Sequence, residues 1–330
     1  MKTLKMNERN GSLDAIKAIA CFLIVFLHCS LDTNLYPASE YVCAFARVAV
    51  PLFIMITGYY FLSIVEKGRM KKFMFKIVRI TLVGSCFYLL VALYLFDVQT
   101  IFNFENLKNW LLFNSVPVTG FHLWYLYALI YILLVVYYGM SFFSSGKNAF
   151  ALAIFLLFCN YLLSFCEDAL YVRNFLMLGL PYFLLGFCVK KYEQRIMESS
   201  FWKGKHYLIF LFMLLLQVAE FYFYKKMGVS LPREHFLMTT PLSCYLFVVA
   251  IKYPKLNKCG FLAYIGDKLS TNIYIYHVFI ILLSDRIVMR LLRTNVISAF
   301  PRNYLYPVLM MVITTTVVFC FKKIKLKGRR

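Results

Sequence analysis

Three of the chain's five histidines lie in apolar runs that also carry other polar groups. The first run, LDAIKAIACFLIVFLHCS (13–30), holds Asp14, Lys17 and His28 inside what otherwise reads as a membrane span. Ionisable groups in hydrocarbon cost about 2.5–3.5 kcal/mol each on insertion scales, so they are rare there and mark function by default. Lys17 and His28 are eleven residues apart. That is close to three helical turns, which puts both on one face and roughly 16 Å apart along the axis. Asp14, three residues before Lys17, can pair with it on that face. One helix thus carries a cation toward one membrane surface and an imidazole toward the other. An imidazole in a desolvated site takes a proton from a hydroxyl near neutral pH. A guanidinium or a second histidine beside it stabilises an oxyanion.

Three further segments could supply such partners. FARVAVPLFIMITGYYFL (45–62) places Arg47 ahead of Pro51 and Gly58. FHLWYLYALIYILL (121–134) opens with His122, and STNIYIYHVFIILLS (270–284) carries Ser270, Tyr274, His277 and Ser284 at spacings of four, three and seven. Each has a structural alternative. Arg47 can reach the surface from a helix bent at Pro51. His122 can belong to an interfacial aromatic belt. The stripe on the last segment can be an interhelical hydrogen-bond seam. Lys17 and the basic loop 67–79 suit the phosphates of a cytosolic cofactor, although orientation of the chain in a membrane is a sufficient reason for the loop. His206 and His235, at loop edges, read as structural or solvated.

The elements that must position these groups are helices in a bilayer. Hydrophobic residues make up 62% of the chain and charged residues 15%, against about 45–50% and about 25% in a soluble globular domain. The expected fold is an all-α, multi-pass integral membrane protein. The net charge of +21 does not indicate a nucleic-acid partner, because the basic residues fall in clusters between apolar runs. Apolar windows suggest about ten spans, with approximate limits 13–31, 41–64, 73–96, 121–140, 149–166, 172–190, 206–224, 236–252, 269–289 and 304–322. Ten spans with both termini inside leave 26 of the 36 Lys and Arg residues on the inner side, as the positive-inside rule requires. On that orientation Lys17 is near the inner surface. His28, Arg47, His122 and Arg173 are near the outer one, and His277 is near mid-membrane. His28, Arg47 and His122 are then expected to converge toward the outer leaflet. The ten cysteines form no CxxC pair and read as small hydrophobes, with neither a metal site nor a disulfide framework. No small-x-small cleavage site follows the first run, which is expected to stay as a membrane helix. The whole of 1–330 reads as one membrane domain with short cytoplasmic tails at 1–12 and 323–330 and no added soluble domain. Oligomeric state is open.

Four stretches together resemble the membrane acyltransferase-3 family: LDAIKAIACFLIVFLH (13–28), RVAVPLFIMITGYYFL (47–62), FHLWYLYALI (121–130) and STNIYIYH (270–277). The resemblance runs from residue 13 to about 320. It implies an O-acyltransferase of the bacterial cytoplasmic membrane. Such an enzyme moves an acyl group, most commonly acetyl, from cytosolic acyl-coenzyme A to a hydroxyl of an extracytoplasmic or lipid-linked glycan. Acetyl-coenzyme A would be co-substrate, with no metal. The resemblance makes His28 the general base or transient acyl carrier, with Arg47 and His122 as its catalytic partners. Lys17, with Asp14, falls on the cofactor side, and Arg173, His277 and Tyr274 fall on the acceptor side. Lys17 stands where the family usually has arginine, and lysine lacks the planar fork that grips phosphate at two points. Two alternatives stay open. One is a small-molecule transporter or exporter, which would normally show internal repeats, and none is visible. The other is a catalytically silent membrane sensor of the same fold, for example one that binds an amino acid.

Overall fold

A computed structural model describes residues 10–29, 31, 35–165, 168–199, 206–229, 234–255, 260–293 and 304–327. Arg233 and Arg302, expected on the outer side, and residues 1–9 and 328–330 of the expected tails lie outside the described residues. Among the described residues every regular element is helical. The chain runs through α1 (Gly11–His28), α2 (Ala38–Ala46), α3 (Ala49–Glu66) and α4 (Met70–Leu95). Short helices α5 (Val98–Ile101) and α6 (Phe104–Phe113) then lead to a 3-10 turn (Val118–Leu123) and α7 (Trp124–Tyr138). Next come α8 (Met140–Phe143), α9 (Gly146–Leu163), α10 (Ala169–Val172), a π turn (Phe175–Gly179) running into α11 (Leu180–Lys191), and α12 (Glu193–Glu198). The chain closes with α13 (His206–Lys226), α14 (Thr239–Lys252), α15 (Gly260–Tyr264), a second π turn (Ile265–Leu269), α16 (Ser270–Arg293) and α17 (Leu305–Lys327).

Among the described residues, eight helical stretches are long and apolar enough to cross a membrane. The two remaining expected segments, 172–190 and 236–252, hold shorter helices: α11 with its π turn, and α14 of 14 residues. Every residue of α11 from Leu180 to Cys188 is buried. A helix that is apolar all round and surrounded by protein belongs to the core. By contrast α4 and α13 turn large apolar side chains outward, among them Leu90, Tyr94, Phe212 and Phe223. Hydrocarbon, not water, suits such faces.

Close helix crossings depend on glycine. Gly58 of α3 meets the Phe183 carbonyl of α11, and Gly186 of α11 meets the Met55 carbonyl of α3; a Cβ at either would overlap backbone. Gly266 lies equally tight against the Asp14 carbonyl. Higher up, the Cys21 thiol donates to the Ser270 carbonyl at 3.7 Å. Asp14 beside Gly266 and Cys21 beside Ser270 mean that α1 and α16 run side by side in the same direction. Ala18, Cys21, Val25, Ile265, Leu269 and Ile273 fill the seam. Asn10 caps α1, accepting from the Leu13 amide at 2.9 Å, and its own amide donates to the Ala250 carbonyl at 3.0 Å, which ties α1 to α14.

The expected second span is two helices, not one bent helix. It breaks at Arg47–Val48, between α2 and α3. Pro51 has no N–H to give the Arg47 carbonyl, yet it is well tolerated in the first turn of a new helix. The reading of the cysteines as buried hydrophobes holds for Cys21, Cys29 and Cys188, while Cys86 and Cys320 are exposed.

Candidate active site

Parallel packing of α1 on α16 decides where the histidines meet. His28 is the last residue of α1 and His277 lies two turns into α16. His122 sits in the 3-10 turn that leads into α7. Ring centres are 5.1 Å apart for His28 and His277, 5.2 Å for His122 and His277, and 6.4 Å for His28 and His122. His122 and His277 are buried and His28 is half-buried. Two tyrosines pin the cluster. The Tyr274 hydroxyl donates to the His122 carbonyl. Tyr88 stacks edge-on to His122 at 4.7 Å and donates to the Ile275 carbonyl at 2.7 Å.

Backbone carbonyls assign the ring tautomers. His122 Nε2 lies 3.2 Å from the Ile275 oxygen, and His277 Nδ1 lies 2.8 Å from the Tyr274 oxygen and 3.1 Å from that of Ile273. A carbonyl oxygen only accepts, so both nitrogens carry hydrogen. In the neutral rings the opposite nitrogens, His122 Nδ1 and His277 Nε2, are then lone pairs, and both are buried with no hydrogen-bond partner.

The arginines approach from another side. Arg47, at the α2–α3 break, donates to Glu234 at 2.8 Å, and Arg173, at the end of α10, reaches the other oxygen of Glu234 at 3.6 Å. Glu234 was not singled out in the sequence. The one available signal was an acidic residue beside His235 in a chain with only 15 of them. Tyr88 was also missed, because one tyrosine among 25 carries no signal.

Below the histidines lies a cavity of roughly 330 Å³ between α1, α3, α4, α7 and α16. Lys17, Lys76 and Asp267 line it together with Thr57, Tyr125 and Tyr274. Lys17 is held by Asp14 at 3.2 Å, as its spacing suggested. Tyr274 links the cavity to the cluster, since its ring is 5.7 Å from His122 and 6.1 Å from His277. Lys76 and Asp267 were legible only as loop charges.

His28, His122, His277 and Tyr274 are therefore brought together, Arg47 and Arg173 share Glu234, and Lys17, paired with Asp14, lines the cavity. The other two histidines have separate structural settings. His235 is buried and hydrogen-bonded to Tyr182 at 3.0 Å and Thr240 at 3.2 Å, so it is not solvated. His206 lies between the hydroxyls of Tyr245 and Tyr253 at 3.1 and 2.8 Å. Among the described residues no group of His, Cys, Asp or Glu is arranged to hold a metal ion.

The sequence profile of the acyltransferase-3 family, an acyltransferase domain, matches residues 10–322. The chain belongs to the acyltransferase-3 family. It is also similar to a serine/alanine racemase of Enterococcus gallinarum, at 30% identity over 131 residues, and to an amino-acid racemase of Enterococcus faecalis, at 30% over 129 residues. These alignments take in 37% and 36% of this chain but only 18% of each racemase. No solved structure matches. The family's domain covers every residue of the cluster, so the histidines, both arginines and the cavity all belong to an acyltransferase domain.

Proposed function

We propose that this membrane acyltransferase carries an acyl group, acetyl in the simplest case, from cytosolic acyl-coenzyme A to a hydroxyl of a glycan outside the membrane or on a lipid carrier. The observation that carries the reading is the cavity lined by Lys17, Lys76 and Tyr274, with the Tyr274 ring 5.7 Å from His122 and 6.1 Å from His277. Its inner cations suit the phosphates of the donor, and its depth leads a thioester toward the imidazoles. The acceptor hydroxyl attacks the thioester carbonyl while His28 takes its proton. The carbon–sulfur bond then breaks, and the thiolate leaves as coenzyme A thiol with the proton returned by His28. Arg47 and Arg173, held by Glu234, supply positive charge beside the developing oxyanion.

On this reading α11 and α14 count as spans with the eight longer stretches. Ten spans, both termini inside, set the donor end in the cytoplasm and the histidines toward the outer leaflet of a bacterial cytoplasmic membrane. Bunching of 26 of the 36 basic residues on one side favours this orientation. The sequence shows no internal repeat of the kind that marks many transporters.

The test is transfer of radiolabelled acetyl from acetyl-coenzyme A in proteoliposomes, with envelope extract as acceptor and His28→Ala beside the wild type. Label on extracted glycan with the wild type, and its loss in the variant, is the expected result. Folded wild-type protein that neither binds the donor nor labels any fraction overturns the reading.

A further inference from the structure

We infer that His277 is the positioning residue for His28: its bare Nε2 accepts a hydrogen bond from the His28 ring, fixing which nitrogen of His28 faces the acceptor. This rests on the acyl-transfer reading for its consequence but not for its geometry. His277 Nδ1 is committed to two carbonyls of its own helix, those of Ile273 and Tyr274. Nε2 is then an acceptor only, it is fully enclosed, and no protein group donates to it. A buried acceptor without a donor is rare enough in proteins to demand a partner.

His28 is the neighbour able to supply one. Two imidazoles joined by an in-line N–H···N bond of about 2.9 Å have ring centres about 5 Å apart. The His28 and His277 centres are 5.1 Å apart, with the rings tilted by 40°. The separation is already that of a bond, and only rotation of the His28 ring about Cβ–Cγ remains. His28 ends α1, is half-buried, packs edge-on to Phe121 at 5.3 Å and makes no hydrogen bond through its ring among the described residues, so its N–H groups are uncommitted. His122 is less suited. Its ring is 6.4 Å from His28, and its own bare Nδ1 is likewise an acceptor.

The consequence is a choice of tautomer. An acceptor at His277 Nε2 selects the His28 tautomer whose N–H faces it. The other His28 nitrogen is left as the lone pair that receives the acceptor proton. A carboxylate performs this service in serine hydrolases. Here a neutral imidazole, itself fixed by backbone, does so without adding a negative charge to the membrane interior.

The experiment is nitrogen-15 NMR of histidine-labelled protein in lipid, read with acetyl transfer in the same preparation. Wild-type His28, assigned by its loss in His28→Ala, is expected to show one tautomer. His277→Leu should release it to a mixture and lower kcat for transfer by tens-fold, with donor and acceptor KM unchanged. His277→Gln, whose amide oxygen stands near the lost Nε2, should restore a single tautomer and much of kcat. A tautomer mixture in wild-type His28, or one tautomer that persists in His277→Leu, overturns the inference, and the wild-type spectrum decides even if a variant misfolds. One tautomer in wild type and a mixture in His277→Leu, with no acetyl transfer from any acyl donor, upholds the pairing and defeats the acyl-transfer reading instead.

Discussion

On the proposed orientation, Lys17 at the inner end of α1 is partly exposed, salt-bridged to Asp14 and turned to a cavity shared with Lys76 and Asp267. At the outer end of the same helix, His28 meets two buried imidazoles whose free nitrogens have no partner. The inner region is charged, adaptable and internally compensated. The outer one is packed and short of donors, and Arg47, Arg173 and Glu234 form a separate charged group. Charged groups that stay partly exposed bind a polyanion at modest cost. An uncompensated acceptor in a dry site is costly unless a ligand or neighbour fills it. On the proposed acyl-transfer reading, the difference separates a binding end from a reacting end, joined by the α1–α16 seam.

The largest expected effect falls on the outer end alone. His28→Ala should lower acetyl transfer about 10³-fold, in the range of a lost general base, while titration calorimetry finds acetyl-coenzyme A binding unchanged. A loss of binding equal to the loss of turnover would erase the distinction between the two ends.

Gly266→Ala should damage both ends together, because its Cβ would enter the Asp14 carbonyl and force α1 from α16. Overpacking of this kind costs about 1–3 kcal/mol. A lowered melting temperature in detergent should accompany weaker donor binding and slower transfer. Loss of transfer with normal donor binding would show that the seam does not couple the ends.

Glu234→Gln sharpens the outer end. It leaves two guanidiniums facing each other without their anion, in a half-buried setting. A cost of about 1–2 kcal/mol is expected, below the 3–5 kcal/mol of breaking a fully buried pair. Thermal melts and transfer assays should show a moderate loss of stability, with turnover down about tenfold and donor KM unaffected.

The smallest effects belong to the inner end. Lys17→Ala should raise donor KM about tenfold through loss of one charge-assisted hydrogen bond. Lys17→Arg should lower it severalfold, since the planar fork suits phosphate better. Steady-state kinetics on inside-out vesicles reads both. A change in kcat at constant KM would move Lys17 out of the binding end.

Much of this division was legible in the residues. The eleven-residue spacing of Lys17 and His28, and the Asp14–Lys17 pair, follow from helix periodicity and survive in α1. Most span limits fall within a few residues of the helices, as with 149–166 against Gly146–Leu163. Segments 172–190 and 236–252 hold short helices, because hydropathy does not distinguish lipid from protein as the apolar neighbour. The α2–α3 break was visible only as Pro51, which bends a helix or restarts one with equal ease. The polar stretch before His122 conceals α5, α6 and the 3-10 turn, whose composition has no strong period. Glu234 was beyond reach, since its two arginines lie 187 and 61 positions away and pair with it only through the fold. Tyr274 and His277 stood out as a polar stripe, but the carbonyls that fix the His277 tautomer are backbone groups that every residue possesses.

The most direct test of a cytosolic binding end joined to an outer reacting end is sidedness. Radiolabelled acetyl-coenzyme A would be sealed inside proteoliposomes in which the protein has been shown to face one way, N-terminus inward, with the acceptor extract supplied only outside. The expected result is label on the external glycan with wild type and none with His28→Ala. Transfer that proceeds only when donor and acceptor share one compartment would contradict a passage through the membrane from Lys17 to His28.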